Sequence, residues 1–328
     1  MSGDIAVVVV TFNSAGEIGP CLRSVRQMAG GGQSPAAAAE VVVVDNASTD
    51  DTCQVAAQAD PAARLIRNCS NRGFAAAVNQ AIQATTRPLL LLLNPDAILK
   101  TPLSPMAEEC RRAAVGAVGG KLVDVGGLPQ RGFNIRSFPT PAAFAAEVFL
   151  INRLWPSNPV NRRYRRLDFD PEQAQDVEQP AGAFLMLRRD VLETIGGLDE
   201  DFYPLWFEDV DLCLRIRNAG YALRYVPGAM AEHGGAHSLR TLPVQARHLA
   251  WYGNLLRFGH KHFSPAGRRW LRPILLGGVF CRWLACRLKA GAGEERRAYR
   301  QTMKMLLGAR RSAGRAEVRM RTTPAVES

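Results

Sequence analysis

Val41-Val42-Val43-Val44-Asp45-Asn46-Ala47-Ser48-Thr49-Asp50 runs four valines straight into a polar cluster. A short unbroken β-branched run suits a strand covered on both faces, as crossover helices cover a parallel sheet. The Asp, Asn, Ser and Thr that follow end the strand and can cap a helix. The pattern recurs on either side. Ile5 to Val10 leads into Thr11-Phe12-Asn13-Ser14 and then a helical stripe of Ile18, Cys21, Leu22 and Val25. A further helix–strand step reaches Leu65-Ile66-Arg67, and the turn Asn71-Arg72-Gly73-Phe74 opens an Ala-rich helix through Ala84. Leu89 to Leu93 is another buried strand, closed by Asn94-Pro95-Asp96. Strands alternating with helices predict an α/β fold with a mostly parallel sheet. Ligands bind such sheets beyond the carboxyl ends of the strands, so Asn13, Asp45 and Asp96 are expected in one crevice.

The middle of the chain is less regular. Gly30 to Ala39 reads as a loop, and Gly119 to Asp170 is rich in Gly, Pro and Arg. Within it, Phe144, Val148, Phe149, Ile151, Leu154 and Trp155 form an apolar stretch. Gln179 to Leu187 reads as a loop entering a strand, with Gly182 in the loop, and Gly196 to Glu200 as a turn. Next come the aromatic run Phe202 to Phe207, Glu208-Asp209-Val210-Asp211 opening a helix, a strand Leu223–Val226, and Glu232-His233 just beyond it. After Thr241 the pattern is helical and basic, and the Arg-rich end after Gly308 reads as disordered.

With 328 residues, 47% of them hydrophobic, the chain can bury a sizeable core. Seven cysteines without a CxxC pair suggest reduced thiols in the cytosol. The N-terminus lacks the basic-then-apolar order of a signal peptide. No G-x-G-x-x-G follows the first strand and no P-loop occurs, which argues against a dinucleotide dehydrogenase and a P-loop NTPase. The net charge of +11 is uneven: Thr241 to Ser328 holds 18 Lys+Arg against four Asp+Glu, net +14, and the rest is −3. Pro273 to Leu288 is too short and too charged for a membrane span and fits an amphipathic surface helix.

Several clusters can carry chemistry. Asp96 at a strand end is a hard oxygen ligand suited to Mg2+ or Mn2+, although Asn-Pro-Asp is also turn chemistry. Asp45-Asn46 can contact a nucleotide or cap a helix with Ser48 and Thr49. Arg72 can face a diphosphate, with Gly73 allowing close backbone approach. His233, near His237, can complete a metal site that has one protein carboxylate. Three acids open the helix at Glu208; first-turn amides favour negative charge, so capping is the plain alternative. Asp211 is spaced to pair with Arg215.

Taken together and in order, Val8 to Ser14, Val44 to Asp50, Asn71 to Ala75, Leu93 to Asp96, Pro180 to Ala183 and Phe207 to Leu212 resemble family 2 glycosyltransferases, particularly the rhamnosyltransferase-like branch. The resemblance covers about residues 5–240. It implies a GT-A fold with a nucleotide-sugar half (1–120) and an acceptor and catalytic half (121–240), followed by a basic helical extension (241–328). It implies inverting transfer from a nucleotide-diphosphate sugar, best dTDP-rhamnose, to a hydroxyl of a glycan or lipid-linked saccharide. Asp209 matches the catalytic base, with Glu208 beside it orienting acceptor or loop. Thr11, Asn13, Asp45, Asn46, Arg72, Gly73, Asn94 and Asp96 fall on the donor side. Asp96 and His233 match metal ligands for Mg2+ or Mn2+. Asn94 departs from the family's Asp-x-Asp by replacing the first acid. Gly182, Tyr203 and Trp206 are expected at the acceptor. The helix N-terminus is expected to keep Asp209 ionised.

The family's lipid-linked acceptors fit the basic tail, since each Lys or Arg near an anionic surface contributes roughly 1 kcal/mol. The expectation is a cytoplasmic protein held peripherally on the inner membrane face, with no nucleic-acid partner. The alternatives are a UDP-hexose or furanosyl donor, or a catalytically silent membrane- or nucleic-acid-binding adaptor.

Overall fold

The valine and leucine runs become the inner strands of one large sheet. The computed structural model describes residues 2–28, 39–235, 242–288 and 291–308. The loop expected at Gly30, the residue His237 and the tail after Gly308 fall wholly or largely outside the described residues.

The first half reads β1 (Ile5–Thr11), α1 (Ile18–Met28), β2 (Glu40–Asp45), α2 (Thr52–Ala59), β3 (Arg64–Arg67), α3 (Phe74–Gln83), β4 (Leu89–Leu93), β5 (Ala97–Leu99) and α4 (Ser104–Cys110). Then follow β6 (Val115–Val123), β7 (Ile135–Arg136), α5 (Pro141–Val148), α6 (Ile151–Leu154), α7 (Pro159–Arg165), β8 (Gln175–Asp176), β9 (Gln179–Pro180), β10 (Phe184–Arg188), α8 (Arg189–Ile195), α9 (Glu208–Asn218) and β11 (Ala222–His233). The C-terminal region supplies α10 (Val244–His262), α11 (Pro265–Arg287) and α12 (Gly293–Gly308).

Nine strands form a mixed sheet in the order β3-β2-β1-β4-β10-β6-β11-β5, with β8 on β11, and β7 pairs β9 separately. β1, β2, β3 and β4 are parallel neighbours, and β10 lies antiparallel between β4 and β6. Every residue of β4 is buried, as its five leucines require when both faces are covered. Burying one such side chain stabilises the fold by about 1.5–3 kcal/mol. Alternate side chains feed two cores, one under α1 and α4 and one under α3 and α8.

One strand runs longer than its sequence suggests. Leu223–Val226 continues past a register shift at Pro227-Gly228 to His233, because the chain resumes pairing with β6 and also pairs with β5. His233 therefore ends a strand instead of following one.

The C-terminal helices are integral to this fold. A third core joins Tyr252, Leu255 and Phe258 of α10 and Leu271 and Leu275 of α11 to Phe144, Phe202, Phe207 and Val210. Asp211, fully buried, pairs through Oδ2 with Arg215 Nε at 2.8 Å, as its spacing predicts. Its Oδ1 also meets Lys261 Nζ at 2.7 Å and His262 Nε2 at 2.6 Å, both from α10. Burial opposes its ionisation, but hydrogen bonds from His262, Lys261 and Arg215 outweigh that and hold the carboxyl down to about 2. A depressed acid contributes its stability above the unfolded value of about 3.9 and loses it as pH falls toward the folded value. Asp211→Ala would strand the buried ends of Arg215, Lys261 and His262 without their shared acceptor and is expected to cost about 3–5 kcal/mol in urea unfolding at pH 7. A loss under about 1 kcal/mol contradicts this reading.

Candidate active site

The ends of β1, β2 and β4 lie side by side, so the polar clusters that close them converge. Thr11 and Asp45 are in register. Asp45 accepts from Thr11 Oγ1 at 3.1 Å, from the Ser48 amide at 3.0 Å, and from the Ser48 hydroxyl. Asn13 has a positive φ of 50°, and its Oδ1 accepts from the Thr49 amide at 2.8 Å. Asn46 is buried and ties the next turn in place: Nδ2 donates to Gly73 O at 3.1 Å, and Oδ1 accepts from the Arg72 amide at 3.0 Å. The helix-cap reading of Asp45 and Asn46 is corrected: α2 starts at Thr52 with Asp51 at its N-cap, and the two side chains brace loops, with the Arg72 side chain exposed at the rim. Gly73 has φ +85°, and a Cβ there would stand 2.8 Å from Tyr203 Cδ2. Tyr203 therefore packs on the Arg72-Gly73 turn, and its Oη donates to Asn71 O at 3.3 Å.

Beyond β4, Asp96 Oδ1 lies 3.4 Å from His233 Nε2, and Asn94 Nδ2 lies 3.3 Å from the same nitrogen. Burial works against the Asp96 carboxylate. The hydrogen bond and charge of His233, with the amides of Asp96 and Gly235, win and hold it below the usual carboxylate range. Gln130 sets the imidazole from behind. Its Nε2 donates to His233 O at 2.7 Å, so its Oε1 is free to accept from His233 Nδ1 at 3.1 Å. Gln130 thus fixes the ring with Nε2 directed at Asp96, and a bound cation would take the Nε2 lone pair while Nδ1 keeps its proton toward Gln130. Phe133 stacks on the ring with centroids 5.2 Å apart. Among the described residues no group of three His, Cys, Asp or Glu is placed to hold a metal. A cation here would rest on Asp96 and His233, with its other positions open to substrate or water oxygens. Sequence reading missed Gln130 and Phe133, since a glutamine 103 residues before its histidine leaves no spacing signal.

Asp209 lies in the first turn of α9, half-buried. Oδ2 accepts from the Gly182 amide at 3.1 Å and from Gln179 Nε2 at 3.4 Å, and Oδ1 from the Val210 amide at 2.8 Å. The helix N-terminus does not set the Asp209 carboxyl alone. Burial raises its carboxyl, and the amides of Gly182 and Val210 with the Arg136 charge offset this only in part. Glu208 is more extreme. Burial first, and the Asp209 charge second, push it well up, and Oε2 has no hydrogen-bond partner among the described residues. Trp206 and Phe207 precede these acids at φ 81° and 74°, a left-handed conformation costly for bulky residues. Such strain persists where surroundings enforce it, commonly at functional sites. Here Asn254 of α10 enforces it, donating to Tyr203 O at 3.1 Å and Leu205 O at 2.9 Å.

The two groups are joined. Asn94 N donates to Ala183 O at 3.0 Å, and the preceding residue, Gly182, donates to Asp209. Two consecutive residues thus tie the β4 carboxylate turn to the α9 acid.

The family model for Glycosyl transferase family 2 matches residues 6–196. The chain belongs to glycosyl transferase family 2. It is a glycosyltransferase that moves a sugar from a nucleotide donor. A second model, Glycosyl transferase family group 2, matches residues 165–290 and so reaches into α11. The N-acetylglucosaminyl-diphospho-decaprenol L-rhamnosyltransferase of Mycobacterium tuberculosis is 32% identical over 224 residues, 64% of this chain and 70% of that protein. The pre-mycofactocin glycosyltransferase of the same organism is 25% identical over 88% of this chain and 54% of its own length. In fold, a mannosyltransferase from Pyrobaculum calidifontis, solved with GDP-Man and Mn2+, aligns at TM-score 0.51 and 19% identity over 93% of this chain and 75% of that one. Staphylococcus aureus TarS with UDP-GlcNAc aligns at 0.51 and 15% identity, over 92% and 80%. The GT-A fold expected from the sequence is the fold observed.

A Cβ on Gly182 would lie 3.0 Å from Asp209 Cβ. Gly182→Ala is therefore expected to displace Asp209 and cut transferase turnover at least about tenfold with the circular dichroism unchanged. Parental turnover would separate Gly182 from the site.

Proposed function

We propose that this glycosyltransferase moves L-rhamnose from dTDP-rhamnose to a hydroxyl of a lipid-linked saccharide, with inversion and with Asp209 as general base. The observation that carries the catalytic reading is the Gly182-Ala183 link, which holds a base candidate and a diphosphate-side carboxylate in one frame. The donor reading is supported by the likeness to the mycobacterial rhamnosyltransferase.

In the proposed reaction the acceptor hydroxyl oxygen bonds to the anomeric carbon and its proton passes to Asp209. The bond from the anomeric carbon to the diphosphate oxygen breaks, and its electron pair leaves with dTDP. Asp96 and His233 Nε2 fit a divalent cation, Mg2+ or Mn2+, which would supply positive charge to the departing diphosphate. Arg72, exposed beside the Asn46-held turn, adds charge at the same end. Asp45, Asn46, Thr11 and Asn13 shape the donor side through the loops they hold. Tyr203 and Trp206 give the acceptor sugar an apolar face. Asn94 leaves one carboxylate fewer than Asp-x-Asp, so the cation would depend more on the substrate's own oxygens. Cytoplasmic attachment to the inner membrane face, through the basic C-terminal region, would bring the lipid-borne acceptor; no described helix is long and apolar enough to cross a membrane.

Because burial raises its carboxyl, Asp209 is a stronger base than an ordinary aspartate. The acid limb of kcat/KM is expected above the ordinary Asp value of about 3.9, and a limb at or below it contradicts the assignment. A raised acid contributes stability below its unfolded value and loses it as pH rises through the folded one. Asp209→Asn should therefore lower kcat by about 10²–10⁴-fold at pH 7 without lowering Tm. Retained turnover would exclude Asp209 as base. Thermal-shift screening of nucleotide sugars with Mn2+ tests the donor: dTDP-rhamnose should shift the parent most, and a preference for a UDP-hexose or furanosyl donor would replace it.

A further inference from the structure

α11 is apolar on two sides. Leu271, Leu275 and Val279 are buried against its neighbours, and Gly278 lets Val148 of α5 approach so closely that a Cβ would stand 2.5 Å from it. On the opposite side Trp270, Phe280, Leu284 and Leu288 recur at helical spacing and face outward, Trp270 61% and Leu288 90% exposed. The inner stripe alone suffices to pack the helix; the outer one has no role in any of the three cores.

The adjoining segment continues this surface. Phe149 rests on Gly277, where a Cβ would meet its ring at 3.0 Å. Arg282 donates through Nε to Val148 O at 2.9 Å, fastening α11 to the end of α5. Two residues on, α6 begins, and it exposes Leu154 (84%) with Trp155 just after it (56%). Arg153 immediately precedes those apolar residues, and Arg269 and Arg287 border the α11 stripe, all three exposed. α11 holds five Arg and no Asp or Glu.

We propose that α6 with Trp155 and the outer stripe of α11 form one surface that seats on an anionic bilayer. The proposal rests on the peripheral attachment proposed above and gives it a composite footprint, half of which lies outside the C-terminal region. Indole rings suit the headgroup level, aliphatic side chains the acyl boundary, and guanidinium groups the lipid phosphates. A second copy of the chain is a poorer occupant, since it would bring Arg153, Arg269 and Arg287 against the same three residues. The seat also has a mechanical link to the site. α10 packs on α11, and its Asn254 holds the Tyr203 and Leu205 carbonyls that precede Asp209. A lipid-borne acceptor would reach Asp209 one helix away from the bilayer.

The full chain is to be floated with vesicles of phosphatidylglycerol and phosphatidylcholine, and of phosphatidylcholine alone. Binding to the anionic vesicles is expected at least tenfold tighter. Trp270→Ser with Leu284→Ser, and separately Leu154→Ser with Trp155→Ser, should each weaken it at least tenfold, with circular dichroism and the dTDP-rhamnose thermal shift unchanged. Equal binding to neutral vesicles, or parental flotation of either pair, overturns the proposal. So does a dimer in light scattering that these substitutions dissolve while the parent fails to float. Absence of a dTDP-rhamnose shift in the parent would defeat the donor reading and leave the flotation result standing.

Discussion

Two peptide groups at Gly182-Ala183 hold the site together. One carbonyl takes the Asn94 amide and one amide takes the Asp209 carboxylate. Such bonds can fix two distant segments because β10, which follows them, is pinned antiparallel between β4 and β6 in the middle of the sheet. The missing side chain at Gly182 leaves room for this close approach, since a Cβ there would crowd Asp209 Cβ at 3.0 Å. Gly73 serves the opposite rim in the same way, by letting Tyr203 press on the turn that carries Arg72.

The C-terminal helices complete this frame. Asn254 caps the carbonyls of the strained loop, while Lys261 and His262 bond Asp211 inside the first turns of α9. The loop before Asp209 thus borrows its rigidity from a region whose sequence reads as a basic appendage. Glu208, buried with an oxygen that has no partner among the described residues, marks where stability is sacrificed beside the base. Native folds tolerate such a group where function uses it.

The alternation of valine and leucine runs with polar clusters made the parallel half of the sheet legible, and with it the adjacency of the strand ends that precede Asn13, Asn46 and Asp96. Asp211 and Arg215 were legible too, since i,i+4 spacing is a local property. Contacts between distant segments were not. Gln130 and Asn254 are ordinary polar residues whose roles exist only once β11 and α10 are in place. At Asp209 sequence shows a helix start but not the depth of burial there, which raises its carboxyl despite the amides that bond it.

The most direct measurement is a crystal structure with dTDP and Mn2+ bound. The account predicts the cation on Asp96 and His233 Nε2, the diphosphate toward Arg72, and the Gly182 bond to Asp209 intact with that carboxylate facing the vacant sugar position. A cation away from Asp96 and His233, or a nucleotide with Asp209 turned from its diphosphate end, would contradict it.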